Sequence, residues 1–175
     1  MRTYQQIFVY GLLLGVFISV VNCYERTAET ADNVRNNLSF YREFMVKVKS
    51  QNEVDFLLIT NDRYTFVSGD IAYSGRFDIA HKKIEQTHYK KIPLTDKYKE
   101  IILKWLTILS KDNICGFDVR SNTMSSIYIF PEVKLLFLEE HGYEDSWKDK
   151  PDKWTDYRGA TYFRIDKNIY LVSEK

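Results

Sequence analysis

Asp78, His81 and His88 carry the side chains in this chain best suited to holding a metal ion. On a helix, spacings of three and seven would bring them to one face, and Asp70 or Glu85 could complete the set. Such a cluster would serve a metal-dependent hydrolase. The signal is weak, because it lacks the HExxH arrangement that sets two imidazoles and a base together. It also lies among Lys82, Lys83, Lys90 and Lys91, which repel a cation. A solvated surface is the simpler reading, so no metal ligand and no cofactor is assigned.

Cys115 is the next reactive group. A cysteine nucleophile needs a base that holds it as thiolate, and no His lies within 25 residues on either side. Cys115 alternates in phase with Phe117 and Val119, the position of a small buried hydrophobe. The chain has no GxSxG elbow and no glycine-rich phosphate loop. With seven scattered glycines, no backbone cradle is expected, and no catalytic residue is assigned.

The strongest recognition signal is aromatic. Trp147, Trp154 and Tyr157 share a polar stretch, His141 to Gly159, with Asp145, Asp149, Asp152 and Asp156. Aromatic faces flanked by carboxylates can stack on sugars or grip a partner, and large aromatics dominate protein hot spots. Trp147, Trp154, Tyr157, Asp149 and Asp152 are therefore the candidate partner-binding residues. The competing reading folds both tryptophans back as a lid on a sheet edge. Residues 81–104 are Lys-rich and 139–156 acid-rich, a bias that two solvated faces also explain.

The N-terminus predicts a compartment. One Arg precedes fifteen uncharged residues, Ile7 to Val21, the layout of a secretory signal over residues 1–22. As a helix this run would measure about 22 Å at ~1.5 Å per residue, against a bilayer core of about 30 Å. A spanning anchor would need flanking residues pulled in. Cleavage after Cys23 leaves Val21 and Cys23 at the two small-residue positions; cleavage before it makes Cys23 the new N-terminus. Val20-Val21-Asn22-Cys23 resembles the lipobox of bacterial lipoproteins in its Cys and aliphatic residues and departs from it at Asn22. The resemblance implies a lipid on Cys23, with acyl chains contributing ~0.8 kcal/mol per buried methylene.

Without residues 1–22, which hold Arg2 and no acid, 24 basic and 24 acidic residues remain. A nucleic-acid partner is not expected, because a binder shows a basic excess that releases counterions. With Cys23 lipidated or removed, Cys115 stands alone, which excludes an internal disulfide and a CxxC zinc site. The remaining length suits one domain; of the chain's 13 Tyr and 11 Phe, all but Tyr4, Tyr10, Phe8 and Phe17 lie in it, side chains that fill cores.

The elements follow from period and turn chemistry. Residues 23–32 read as a flexible tether and 33–175 as one domain. Val34, Leu38, Tyr41, Met45 and Val48 form the stripe of an amphipathic helix over about 31–50, with Thr30 or Asp32 as its cap. Val54 to Thr60 and Arg63 to Phe66 make a hairpin about Asn61, followed by a third strand bent at Ser74-Gly75. Residues 80–93 fit a short helix or an irregular crossover. A second amphipathic helix begins after Thr95 or Asp96, buries Tyr98, Ile101, Ile102, Trp105, Ile108 and Leu109, and ends at Lys111-Asp112-Asn113. Strands then follow at 115–119 and about 127–130. Val133 to Glu139 fits a short helix starting at Pro131 through Val133, Leu136 and Phe137, but the continuous run Leu135 to Leu138 favours a strand covered on both faces; the stretch 141–159 reads as a loop. Ala160 to Ile165 and Ile169 to Ser173 form a terminal hairpin. The expected fold is α+β, two helices on one largely antiparallel sheet of six or seven strands.

Together these features predict a small, non-catalytic, exported binding module of the cell envelope with a protein partner. It would be periplasmic or outer-surface, attached to the membrane through its leader or a lipid on Cys23, or else secreted. An immunity-type lipoprotein is one concrete form. The alternatives are the metal-dependent hydrolase using Asp78, His81 and His88, and a carbohydrate or ligand binder using Trp147 and Trp154.

Overall fold

A computed structural model describes residues 29–88, 93–121, 123–139, 147 and 149–174, without the side chains of Thr87 and His88. The expected leader, Cys23 and most of the expected tether lie outside the described residues. The chain divides into two compact units after Leu38. In the described part of the first, residues 29–36 are helical and Asn37 is a turn. The Asn37 amide donates to the Asn33 carbonyl at 2.9 Å and to the Asn33 side chain at 2.7 Å. The single helix expected over about 31–50 is two helical runs, separated at Asn37. Thr30 and Asp32 lie inside the first run and do not cap it. The second run is α1, Leu38–Lys49.

The second unit is built on a ten-stranded sheet rather than one of six or seven strands. Its strands are β1 (Phe56–Thr60), β2 (Arg63–Ser68), β3 (Ile71–Asp78), β4 (Lys83–His88), β5 (Gly116–Asp118), β6 (Met124–Phe130), β7 (Val133–Leu138), β8 (Lys153–Thr155), β9 (Thr161–Asp166) and β10 (Ile169–Ser173). The spatial order is β4-β3-β2-β1-β5-β6-β7-β10-β9-β8, and every neighbouring pair is antiparallel. β1 to β4 step outward to one edge. Helix α2, Asp96–Asp112, lies between β4 and β5 in the chain. β5 pairs with β1, β6 and β7 step outward the other way, and β8 to β10 return from the far edge.

The two strands that lie in stretches not expected as strand are the sheet's edges. β4 occupies a stretch expected as helix or crossover, and β8 lies inside the expected loop. Neither has a readable apolar alternation, and both are charged at edges, where charge discourages pairing with another chain. Their conformation comes from β3 and β9, whose backbones they complete. Lys82, at φ 51, turns the chain between β3 and β4.

Antiparallel register places partners on the same side of a sheet. Tyr73, Phe66, Leu57, Phe117, Ile127, Leu135 and Leu171 are successive partners across β3, β2, β1, β5, β6, β7 and β10. All seven are at most 1% exposed. Helix α2 packs on this row at Tyr73, Phe66 and Phe117. The Trp105 ring meets Phe117 at 4.9 Å, and Tyr98 meets Phe66 at 5.8 Å and Tyr73 at 5.5 Å. The helix buries Ile101, Ile102, Trp105, Leu106 and Leu109. Thr95 accepts a hydrogen bond from the Tyr98 N–H as its N-cap, and Asn113, left-handed at φ 53, closes it, both as expected. In α1 the buried residues are Phe44, Met45 and Val48, and Arg42 and Lys49 form ion pairs with Asp166 and Glu139.

Several local expectations hold. Asn61 adopts φ 57 in the β1–β2 turn, and the register of β3 against β4 shifts at Ser74/Gly75. β7 is buried through Leu135, Leu136, Phe137 and Leu138, and β9 and β10 pair as the terminal hairpin. Among the described residues, no helix is long and apolar enough to cross a membrane.

Gly116 joins the two halves of the sheet. A Cβ at this position would sit 2.1 Å from the Leu57 carbonyl oxygen, a backbone atom of the neighbouring strand. Gly116→Ala must push β1 and β5 apart and is expected to cost about 2–3 kcal/mol or more, measured by urea unfolding; a loss below about 0.5 kcal/mol would show that the strands part freely. Tyr64 is 1% exposed, and its hydroxyl has no hydrogen-bond partner among the described residues. Burial, and then the neighbouring Tyr73, push its pKa from 10.0 up to about 12. An unfolded tyrosine ionises near the lower value, so Tyr64 supports the fold fully below pH 10 and loses that support as pH rises toward 12. Tyr64→Phe should flatten the alkaline fall in stability without loss at pH 7; identical alkaline slopes in the two proteins would contradict the assignment.

Candidate functional site

The sheet face opposite α2 carries a second, smaller core and an open recess. Two rows of register partners define it. One runs Asp118, Ser126, Leu136, Tyr170, Arg164, and the next runs Tyr128, Lys134, Val172, Tyr162, Trp154. Leu136, Leu138, Tyr170 and Val172 form the buried centre, with Met124, Trp147, Ala160 and Tyr162 packed against it.

Trp147 packs on this core directly, and Trp154 reaches it through Trp147 and Tyr162. The Trp154 ring stacks on Tyr162 at 4.1 Å and 3°. Trp147 meets Trp154, Tyr162 and Tyr170 at 5.0–5.5 Å, inclined by 56–66°. Its carbonyl accepts from Arg164 at 3.3 Å and from Tyr170 at 3.4 Å, and Arg164 also donates to the Lys150 carbonyl at 2.6 Å. Trp147 and Trp154 are thus half-buried, in the lid arrangement that competed with the free recognition loop. Asp149 and Asp152 stay exposed; the Asp152 carboxylate lies 3.7 Å from Arg164. Asp145 and His141 lie outside the described residues.

Tyr157 is different: it is 88% exposed. It stands on the β8–β9 turn, which is braced from within. Asp156 Oδ1 accepts from the N–H groups of Arg158 at 2.9 Å and Ala160 at 3.0 Å. Its Oδ2 accepts from the Tyr162 hydroxyl at 3.2 Å. Gly159, at φ 87, supplies a conformation other residues rarely adopt. Arg158 lies over the Tyr157 ring at 5.2 Å and its Nε donates to the phenol at 2.8 Å. Burial, and then Asp156, raise the pKa of Tyr162, so that phenol stays a donor.

The recess lies beside the aromatic core, with a volume of about 400 Å³. Asp118 and Arg120 form one wall. The carboxylate accepts from Arg120 Nε at 2.9 Å, Nη2 at 2.6 Å and the backbone N–H at 3.1 Å, which holds the guanidinium still more firmly charged. The guanidinium lies 4.5 Å over the Phe56 ring. Lys134 pairs with Glu174 at 2.5 Å and lies 5.7 Å over Tyr128. Burial is the main cause that raises the pKa of Tyr128. Sequence reasoning missed this site. Its signal was the alternation that sets Asp118, Arg120 and Tyr128 opposite Phe117 and Ile127, which shows a polar face but not what converges on it.

The metal candidates are not on a helix. Asp78 ends β3 and His81 lies in the following turn, where its Nδ1 is 2.7 Å from Asp78 and its N–H donates to the same carboxylate at 3.1 Å. That contact holds the Asp78 carboxyl below its usual range. His88 pairs in register with Ser74, four residues from Asp78 along β3, or about 13 Å at ~3.3 Å per residue. Its side chain lies outside the described residues. No group of three or more His, Cys, Asp or Glu gathers for a metal among the described residues. Cys115 is half-buried, and burial, then Glu132, raise the pKa of its thiol, which lowers its thiolate fraction.

Compared with family models, with curated proteins and with solved structures, the chain matches none. The fold and this face therefore stand on their own geometry.

Because Trp147 is pinned to β9 and β10, Trp147→Ala should cost about 2–3 kcal/mol in urea unfolding. A loss within about 0.5 kcal/mol would show that the cluster does not support the sheet.

Proposed function

We propose that the protein is a small, non-catalytic binding module that is exported and recognises a protein partner at the cell envelope. The observation that carries this reading is Tyr157, held 88% exposed on a turn braced by Asp156 with Arg158 against its ring. Tyrosine and arginine are the side-chain types that most often anchor protein interfaces. A turn already fixed by its own hydrogen bonds loses little freedom on binding. Asp149 and Asp152 extend the contact as exposed carboxylates, while Trp147 and Trp154 stiffen the platform from beneath.

A binding rather than catalytic role is supported by the state of the reactive groups. Cys115 is biased toward the thiol, and Asp78 is engaged by His81 at an exposed turn. The helices are read as amphipathic supports of the sheet. The apolar run Ile7–Val21 supports export, and Cys23 supports a lipid attachment that would hold the domain to a membrane. A lipoprotein of the immunity type, neutralising a toxin that arrives from outside, fits this set.

The test pairs Tyr157→Ala and Arg158→Ala with the unaltered protein as immobilised baits for envelope and secreted proteins. A partner held by the unaltered protein should be released by either substitution, with the melting temperature unchanged. Equal retention by all three baits would remove the Tyr157 turn from recognition. Mass spectrometry of the mature N-terminus checks export: a chain still beginning at Met1 in the soluble fraction would sink that part of the proposal.

A further inference from the structure

The recess carries an inference beyond protein recognition, and its lining includes neither Tyr157 nor Arg158. Its volume of about 400 Å³ falls in the range of small-ligand sites. Its lining divides by chemistry. Asp118, Arg120, Ser121 and Lys134 are polar, while Met124, Leu136, Val172 and the Trp147 and Tyr162 rings are largely apolar. Ser126 and Tyr128, partners of Asp118 and Gly116 across the β5–β6 pair, add hydroxyls.

The charges are the deciding feature, because each is already compensated. Arg120 is held by Asp118 at 2.6 Å and Lys134 by Glu174 at 2.5 Å. An incoming anion would have to compete with those carboxylates, and an incoming cation would have to displace Arg120 from Asp118. A wholly apolar ligand would strip water from the paired charges and hydroxyls without replacing its hydrogen bonds. What remains is a neutral ligand with hydroxyls on one side and a C–H surface on the other. The paired side chains suit it. Asp118 takes Nε and Nη2 of a guanidinium that carries five donors, and carboxylate and guanidinium together present acceptor and donor at adjacent points. An aromatic wall faces the C–H surface.

We propose that this recess binds a neutral sugar ring, its hydroxyls against the Asp118–Arg120 pair and Lys134 and its C–H face toward Trp147 and Tyr162.

The full-length protein is titrated calorimetrically with glucose, galactose, mannose, N-acetylglucosamine and their β-linked disaccharides. Acetate and methylammonium serve as the charged probes. At least one neutral sugar should bind saturably at millimolar concentration or below, and the ions should not. Arg120→Met should weaken that binding about tenfold, the loss of a charge-assisted hydrogen bond. Lys134→Met, at the opposite side of Tyr128, gives a second reading should Arg120→Met fail to fold, with melting temperature as the control. Tyr157→Ala should leave sugar binding unchanged, which separates this site from the protein-recognition turn. Binding of acetate or methylammonium in place of every sugar, silence of the whole sugar panel, or sugar binding indifferent to both recess substitutions would overturn the assignment.

Discussion

The second unit depends on one line of contact, the buried row from Tyr73 through Phe66, Leu57, Phe117, Ile127 and Leu135 to Leu171. These side chains come from seven strands and share one face because antiparallel pairing keeps register partners on the same side. Its weak point is the middle. β5 is only three residues long, yet among the described strands it is the one that pairs with both the half made by β1–β4 and the half made by β6–β10. Gly116 lets β1 approach there, and Trp105 caps the joint by packing on Phe117. A slip of one residue at β5 would turn Phe117 to the other face and leave α2 without its partner.

The placement of α2 on that row sets the character of the opposite face. With one side of the sheet occupied by large apolar groups, the alternate residues of β5 and β6 are free to be Asp118, Ser126 and Tyr128. The outer face is therefore uneven. Toward β9 and β8 it is closed by Trp147, Trp154, Tyr162 and Tyr170, and toward β5 it opens into the recess. The aromatic end also supports its own edge. β8 has three residues and little pairing to hold it, and the Trp154–Tyr162 stack adds ring contact to the backbone bonds. The same Tyr162 hydroxyl reaches Asp156, so the projecting turn and the aromatic core are mechanically one piece.

Charge is paired across the described surface, both between chain neighbours and between distant segments such as Arg42 and Asp166. Arg120 is matched by Asp118, Lys134 by Glu174, Lys83 by Glu85 and Lys99 by Asp96. Most of these pairs are exposed and contribute little stability individually. Their consequence is electrostatic neutrality at short range, in keeping with the balance of acid and base in the sequence. Among the described residues of the Lys-rich and acid-rich stretches, Lys83 and Lys99 pair with Glu85 and Asp96 nearby in the chain, while Lys104 and Glu139 pair with the distant Glu53 and Lys49.

What the sequence determined by itself was whatever its neighbours in the chain could specify. Helix α2 was legible to its ends because its stripe repeats at helical spacing and Thr95 and Asn113 carry their own capping chemistry. The Asn61 turn, the bend at Ser74-Gly75, the doubly buried β7 and the β9–β10 hairpin were legible for the same reason. Tyr157 was singled out among candidates, but not its exposure. Tertiary structure alone decided the rest. β4 and β8 are strands because β3 and β9 offer them an edge, and their own residues have no period to announce it. Trp147 is drawn inward by Arg164 and Tyr170, 17 and 23 residues further along the chain. Asp118, Arg120 and Lys134 line one recess only because β5, β6 and β7 lie side by side. A local pattern records which way a side chain faces; what it meets there is set by strands far away in the chain.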